Sequence, residues 1–470
     1  MRLKFFFLCN SIFSFLISSQ RINLQGATIS LSSETEYMIL YENVGFANDT
    51  IRDFESVLTS IDSKKFPNDS DLGQKYKVIT ENDQSTAFWL RLSSENYEKL
   101  SNNPKISVIE KIIESIAVNS TPVTLNEARD SNFNANFDAN EANVRIHASI
   151  NDLEEKVGFP FTKDFSQWKT QRNAPWHLGR ISSTFNNPLN FSPYGQEYYY
   201  PPSKNSVVVY VVDSGIDPSH SEFNGNVRIG ANFVTTEDNV DTSGHGTAVA
   251  ALINGKNNGV AKGASVVSVK VLNSENIGTT TMFYQGLNWI LNDKKTNYPN
   301  APAIVNFSIN LTVDSPLLES AFKKLQDLGV LVIASSGNNF SDECNFFPGN
   351  SDHALIVSSV QPGNDTFDSL DSNFGDCIDI LAPGSKVFTA LASSKDQVRP
   401  YVGTSFAAGI VSGLGALILS NEPTLSPADL YDTIVGNAMN DVISNVPANT
   451  TNRMIWNGYS GLRSQFSYSN

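Results

Sequence analysis

Four short segments carry the side chains that a nucleophilic acyl transfer needs, and they follow one another along the chain: Val212-Asp213-Ser214-Gly215, Gly244-His245-Gly246-Thr247, Ser336-Gly337-Asn338 and Gly403-Thr404-Ser405-Phe406-Ala407. A serine hydroxyl is a weak nucleophile until a base takes its proton, and an imidazole acts as that base only when the correct tautomer faces the hydroxyl. Ser405 supplies the hydroxyl, His245 the base, and Asp213 the carboxylate that fixes the tautomer. Asn338 offers a side-chain N–H to the oxyanion that forms when a carbonyl carbon is attacked. Taken singly, each segment reads as ordinary structure: a turn, a helix start, a loop and a capped helix N-terminus. Their joint occurrence carries the reading. Of the five histidines (His147, His177, His220, His245 and His353), only His245 lies in a glycine-rich frame that opens a run of small residues.

The elements that must position these groups are legible around them. Residues 206–212 are nearly continuously apolar, as in a strand buried on both faces of a parallel sheet. Such a strand delivers Asp213 at its carboxyl end, where the active groups of open α/β sheets collect. Residues 406–419 are apolar all round with small residues interspersed, which predicts a buried helix. Its N-terminus holds Ser405 where free N–H groups and the helix dipole favour a developing negative charge. The same argument sets His245 at the start of a helix over 246–253.

On these motifs, residues 173–420 resemble the subtilisin-like serine proteases of the proteinase K branch, in particular the fungal cerevisin type. Further segments fall in that family's order: Ala174-Pro175-Trp176-His177-Leu178-Gly179-Arg180-Ile181-Ser182, which resembles the opening of the mature enzyme, then Val267 to Leu272, Asn306-Phe307-Ser308 and Ala382-Pro383-Gly384. The order Asp, His, Ser is that of subtilisin. The resemblance implies an α/β fold of three layers, α/β/α, around a mostly parallel sheet. It implies a serine endopeptidase with Asp213, His245 and Ser405 as its triad and Asn338 as the oxyanion-hole side chain. Extended protein or peptide substrates would lie between Asn276-Ile277-Gly278 and Ser308-Ile309-Asn310, with Ala334, Ser335, Ser336 and Gly337 lining the pocket for the residue before the cut bond. Cys344 and Cys377 stand where some relatives carry a disulfide, two buried thiols being the alternative. Closing that loop would stabilise the fold by roughly 3–4 kcal/mol. Asp379 matches a position that ligates a structural Ca²⁺, while the reaction itself requires no cofactor.

The chain departs from the family pattern at positions that transfer no proton. Gly409 and Ile410 stand where Pro and His are expected, Ala248 replaces a second His, and Asn310-Leu311 replaces a Gly-Gly pair. A side chain at Asn310 crowds a wall that the family keeps bare, so a narrow substrate range is expected. The same departures motivate the rival reading, a weak or inactive subtilase that acts as a binding protein in the secretory pathway or wall. A lipase or esterase would hold its nucleophile in Gly-X-Ser-X-Gly, and Gly403-Thr404-Ser405-Phe406-Ala407 lacks the second glycine.

The organisation of the chain fits a secreted zymogen. Residues 1–19 read as a signal peptide, with a basic start, an apolar run over 5–17 and small residues at Ser18-Ser19. Residues 35–117 follow the pattern strand, helix, strand, strand, helix, strand, a split βαβ arrangement resembling the inhibitory propeptide of subtilases. Strands are expected over 37–41, 88–92 and 106–109, with helices over 51–61 and 94–100. Such a domain can template the slow-folding parallel sheet and block the cleft until removed. Residues 118–172 are rich in Asn and Asp and read as a linker, and 173–470 as the peptidase domain. A net charge of −15 argues against nucleic acid or anionic membrane as a partner, and no second apolar run is long enough for a membrane span. Cys9 leaves with the signal peptide. Sequons at Asn48, Asn68, Asn119, Asn190, Asn339, Asn364 and Asn449 suit a glycoprotein, with Asn306 and Asn310 also matching but shielded. A monomer in the vacuole, in a cell or spore wall, or in the medium is expected.

Overall fold

The computed structural model describes residues 35–42, 47–62, 65, 76–81, 85–116, 165–184, 192–363, 365–368 and 370–460. The expected signal peptide and residues 118–164 of the expected linker lie outside these.

The N-terminal part is built from β1 (Thr35–Glu42), α1 (Ala47–Ile61), β2 (Tyr76–Glu81), β3 (Ser85–Leu92), α2 (Ser94–Ser101) and β4 (Ile106–Lys111). The strands pair antiparallel in the order β2-β3-β1-β4. Strand β2 completes the βαββαβ pattern at a place that the sequence had left open. Alternation along β1 divides its side chains between two cores. Ile39 and Tyr41 join Phe54 and Leu58 of α1, with Phe54 stacked on Phe88 at 3.9 Å. Met38 and Leu40 face the other way, into a core shared with helices of the larger part. Ser93 caps α2, its Oγ accepting from the Asn96 N–H at 3.3 Å. A short strand, β5 (Glu114–Ile116), follows β4.

The larger part opens with β6 (Lys169–Ala174), α3 (Trp176–Ile181) and β7 (Gln196–Tyr200), β6 and β7 pairing antiparallel. The boundary expected at residue 173 therefore falls inside a strand. Lys169-Thr170-Gln171-Arg172 is polar throughout because it forms a two-stranded, largely exposed ribbon, and it shows none of the apolar alternation by which a strand is recognised.

The central sheet comprises β8 (Val208–Asp213), β9 (Val227–Asn232), β10 (Ser265–Lys270), β12 (Ala303–Phe307), β13 (Val330–Ser335), β14 (Ala354–Gln361), β15 (Thr366–Phe367), β16 (Ile380–Pro383), β19 (Met439–Asn440) and β20 (Arg453–Met454). Its order is β19-β20-β16-β14-β13-β12-β8-β10-β9, parallel from β9 to β20, with β19 antiparallel at the edge and β15 antiparallel on β14. Successive residues of β8 feed opposite faces. Val209 and Val211 meet α4 (His245–Asn254), α7 (Thr404–Asn421) and α8 (Pro427–Gly436), whereas Val208, Tyr210 and Val212 meet α5 (Thr280–Asn297) and α6 (Pro316–Asp327). Both faces are covered, so the strand is apolar without alternating, and the fold is the expected three-layer α/β/α arrangement. Two short ribbon strands, β17 (Val387–Ala390) and β18 (Val398–Tyr401), precede α7, and β11 (Ile277–Thr279) precedes α5. Helix α7 is long and apolar enough to cross a membrane, but it is fully buried as the core helix of this sheet.

Candidate active site

Asp213 is the last residue of β8 and is fully buried. Its Oδ1 accepts from the Ser214 N–H at 2.7 Å and lies 2.7 Å from His245 Nδ1. A carboxylate only accepts, so Nδ1 carries the imidazole proton and Nε2 presents a lone pair. His245 Nε2 and Ser405 Oγ are both buried without a hydrogen-bond partner among the described residues. The Phe406 ring packs 5.5 Å from the His245 ring, making one wall of the imidazole's slot. Burial lowers the His245 pKa, but the charge and hydrogen bond of Asp213, with the charge of Asp241, outweigh it and hold the imidazole above its ordinary 6.5.

The loop before His245 is ordered by Asp241, which the sequence reading missed. Its Oδ1 accepts from Ser214 Oγ and the Gly244 N–H, each at 2.8 Å, and its Oδ2 accepts from the Thr247 N–H at 2.9 Å and Thr247 Oγ1 at 2.5 Å. Gly244 at the N-cap has no side chain to satisfy the first turn of α4, so Asp241 does so from outside the helix. The available signal was an acidic residue just upstream of a predicted helix start.

Ser405 lies in the first turn of α7. Its carbonyl accepts from Ser308 Oγ at 3.3 Å. Asn338 Oδ1 accepts from the Thr404 N–H at 2.9 Å and Thr404 Oγ1 at 2.8 Å, which fixes the amide flip and leaves Nδ2 to donate. Nδ2 lies over Gly403, where φ is +147° and a Cβ would come within 2.9 Å of it. Glycine there keeps the amide donor uncovered beside the serine.

The expected substrate-binding residues lie on three segments of the larger part. Strand β11 pairs antiparallel with β5, matching Ile277 to Ile116 and Gly278 to Ser115. Asn276, with φ at +60°, precedes it and is hydrogen-bonded to Ser243. Ser308, Ile309 and Asn310 follow β12, and Ser335, Ser336 and Gly337 follow from the end of β13. Asn306 is fully buried, its Nδ2 donating to Ser412 Oγ at 3.1 Å, so its sequon is closed to glycosylation.

The N-terminal part touches the larger one at three further points. Ile113 and Thr280 are joined by a backbone hydrogen bond of 3.1 Å, and Lys324 Nζ donates to Ser85 Oγ at 3.1 Å. The Glu110 carboxylate sits at the N-terminus of α6, accepting from Ser315 Oγ at 2.8 Å and the Leu317 N–H at 2.9 Å. Burial pushes its pKa up despite those donors.

Cys344 and Cys377 form a disulfide, with Cα atoms 5.3 Å apart across 33 residues. Asp379 lines a cavity of about 410 Å³ together with Asp352, His353, Tyr431 and Asp432. Its oxygens accept from the Ile356 N–H at 2.7 Å and Tyr431 Oη at 2.5 Å. Among the described residues no three His, Cys, Asp or Glu side chains gather closely enough to hold a metal ion. Calcium takes six to eight oxygens, and one carboxylate already engaged by two protein donors is a poor start to that shell.

Comparison with known proteins identifies the family. The sequence profile of the subtilase family matches residues 204–462. A subtilisin-like protease of Arthroderma benhamiae is 31% identical over 307 residues, covering 62% of each chain. A subtilase-type proteinase of Schizosaccharomyces pombe is 33% identical over 291 residues, covering 62% of this chain and 63% of its own. The chain thus spans about 62% of the length of the first such relatives. A cold-adapted subtilisin-like serine proteinase of known crystal structure superposes with a TM-score of 0.54 at 32% identity, covering 61% of this chain and 98% of that one. With that profile matching more than half of its length, the chain belongs to the subtilase family.

Proposed function

We propose that this protein is a serine endopeptidase made as a secreted zymogen. The observation that supports it most is the alignment of Asp213 with His245 Nδ1 at 2.7 Å, while His245 Nε2 and Ser405 Oγ stand unpartnered among the described residues. His245 takes the proton of Ser405 Oγ as that oxygen attacks the peptide carbonyl carbon. The oxyanion is held by Asn338 Nδ2 and the Ser405 N–H at the start of α7. His245 then returns the proton to the leaving amine, the C–N bond breaks and an ester to Ser405 remains. Water, deprotonated by His245, attacks the ester and releases the acid, restoring the serine. Asp213 keeps the imidazole in the productive tautomer throughout.

The N-terminal part is the inhibitor of this cleft in the proposed scheme. Strand β5 lies along the β11 edge as an extended substrate would, and Glu110 caps α6 alongside. The bond cut on maturation lies between Ile116 and Asn173. The signal peptide directs the chain into the secretory pathway, where the disulfide and glycans at exposed sequons such as Asn339 and Asn449 would form.

Two expectations test the chemistry. The base works only when neutral, and its pKa is raised, so activity should be lost as pH falls through a value above 6.5. A kcat/KM profile with an acid limb below pH 6 would contradict the His245 assignment. The reaction draws on no cofactor, so EGTA should leave activity unchanged; a fall in Tm on chelation in wild type but not in Asp379→Asn would show that Asp379 serves a structural cation.

A further inference from the structure

With Ser405 as the proposed nucleophile, the side chain of the residue before the cut bond would fall beside it, and two segments brace that serine. One is Ser308-Ile309-Asn310, whose Ser308 Oγ donates to the Ser405 carbonyl at 3.3 Å. The other is Ser335-Ser336-Gly337, whose Gly337 N–H donates to Thr404 Oγ1 at 3.1 Å. In this chain the Asn310 side chain spans the gap. Its Nδ2 donates to the Ser335 carbonyl at 3.0 Å and to Glu343 Oε1 at 3.1 Å, and its Oδ1 accepts from Ser335 Oγ at 3.1 Å. A Cβ on Gly337 would come within 3.3 Å of the Asn310 Cγ and Nδ2, so the amide rests against the opposite wall.

The amide is also held from behind. Glu343 is fully buried and accepts from Asn373 Nδ2 at 2.8 Å as well as from Asn310. Asn373 Nδ2 donates in addition to the Ser336 carbonyl at 2.8 Å, and its Oδ1 accepts from the Asn339 and Ser341 N–H groups at 3.0 Å each. Burial pushes the Glu343 carboxyl well above the usual carboxylate range, against the donors of Asn373, Gly349 and Asn310 that favour its charged form. Swinging Asn310 aside to admit a large side chain would strip partners from the buried Ser335 and Glu343, a cost that a hydrophobic contact with substrate does not recover. The stopper therefore stays in place when substrate binds.

We propose that Asn310 plugs the specificity pocket and that the enzyme cuts after the smallest residues, glycine, alanine and serine, while rejecting aromatic and branched aliphatic ones. This rests on the proteolytic reading above. The test uses the full chain after its own maturation, first confirming Ser405 with a small fluorophosphonate, then measuring kcat/KM on peptides that differ only in Ala or Phe before the cut bond. Wild type should favour Ala, and Asn310→Gly should raise the Phe-to-Ala ratio about 10- to 100-fold, the worth of burying a phenyl ring. Wild type cutting after Phe as fast as after Ala would overturn the proposal, and this arm needs no variant to fold. Absence of fluorophosphonate label would instead contradict the proteolytic reading. The pocket would then be read by calorimetry with product peptides ending in Ala or Phe, tighter binding of the Ala peptide supporting the stopper and tighter binding of the Phe peptide refuting it.

Discussion

Replacing Ser405 by alanine should lower kcat by about 10⁶ and leave the chain at full length. The loss is this large because in the proposed mechanism the hydroxyl forms the covalent intermediate, and His245 without it has no proton to take. The fold should survive. Ser405 Oγ has no hydrogen-bond partner to lose among the described residues, and alanine suits the first turn of α7, which already carries Ala407 and Ala408. Unchanged Tm with abolished turnover on a peptide substrate would separate chemistry from stability. The same variant reports on maturation. If the bond beyond Ile116 is cut by the molecule's own site, the variant expressed without other proteases remains intact, and a variant that still matured there would remove self-processing from the scheme.

Replacing Asn338 by alanine should lower kcat by about 10²–10³ with little change in KM, because the Nδ2 donor serves the oxyanion and not the ground-state carbonyl. Thr404 would lose the acceptor of its N–H and hydroxyl, which makes Thr404→Val an informative companion. That variant keeps the amide but removes one of the two hydrogen bonds that orient it, so its kcat should fall by less than that of Asn338→Ala. Equal KM and kcat losses in Asn338→Ala would point to substrate binding and away from an oxyanion role.

What could be seen in the sequence was what depends on neighbours along the chain. Asp213, His245 and Ser405 were legible because each sits at the end of an element with a strong local signature: an apolar strand and two helices of small residues. Residues 207–212 alternate between two cores in the structure, yet the run shows no alternation because both faces are buried. Exposed ribbon strands were harder. Residues 169–172 offer no apolar stripe and passed for linker, and Tyr76–Glu81, an edge strand carrying Lys77 and Glu81, was implied only by the need to complete the pattern.

The least legible groups are those whose partners are remote. Glu343 takes its side-chain donors from Asn310 and Asn373, 33 and 30 residues away, so no polar partner near it in the sequence marks it as buried. Asn310 could be seen to crowd a wall of the cleft, but its attachment to Ser335 across 25 residues belongs to the folded sheet alone. The disulfide was legible as a pair because only two cysteines lie outside the expected signal peptide.

The central claim, that Ser405 is an activated nucleophile in a self-maturing zymogen, is tested most directly by labelling the secreted protein with a fluorophosphonate beside a Ser405→Ala control, reading the labelled mass, the modified residue and the N-terminal sequence together. The account predicts label on Ser405 of the wild type alone, on a species that has lost its first 116 or more residues. A wild-type chain that stays full length and unlabelled would contradict it and favour a subtilase fold that binds peptide without cutting it.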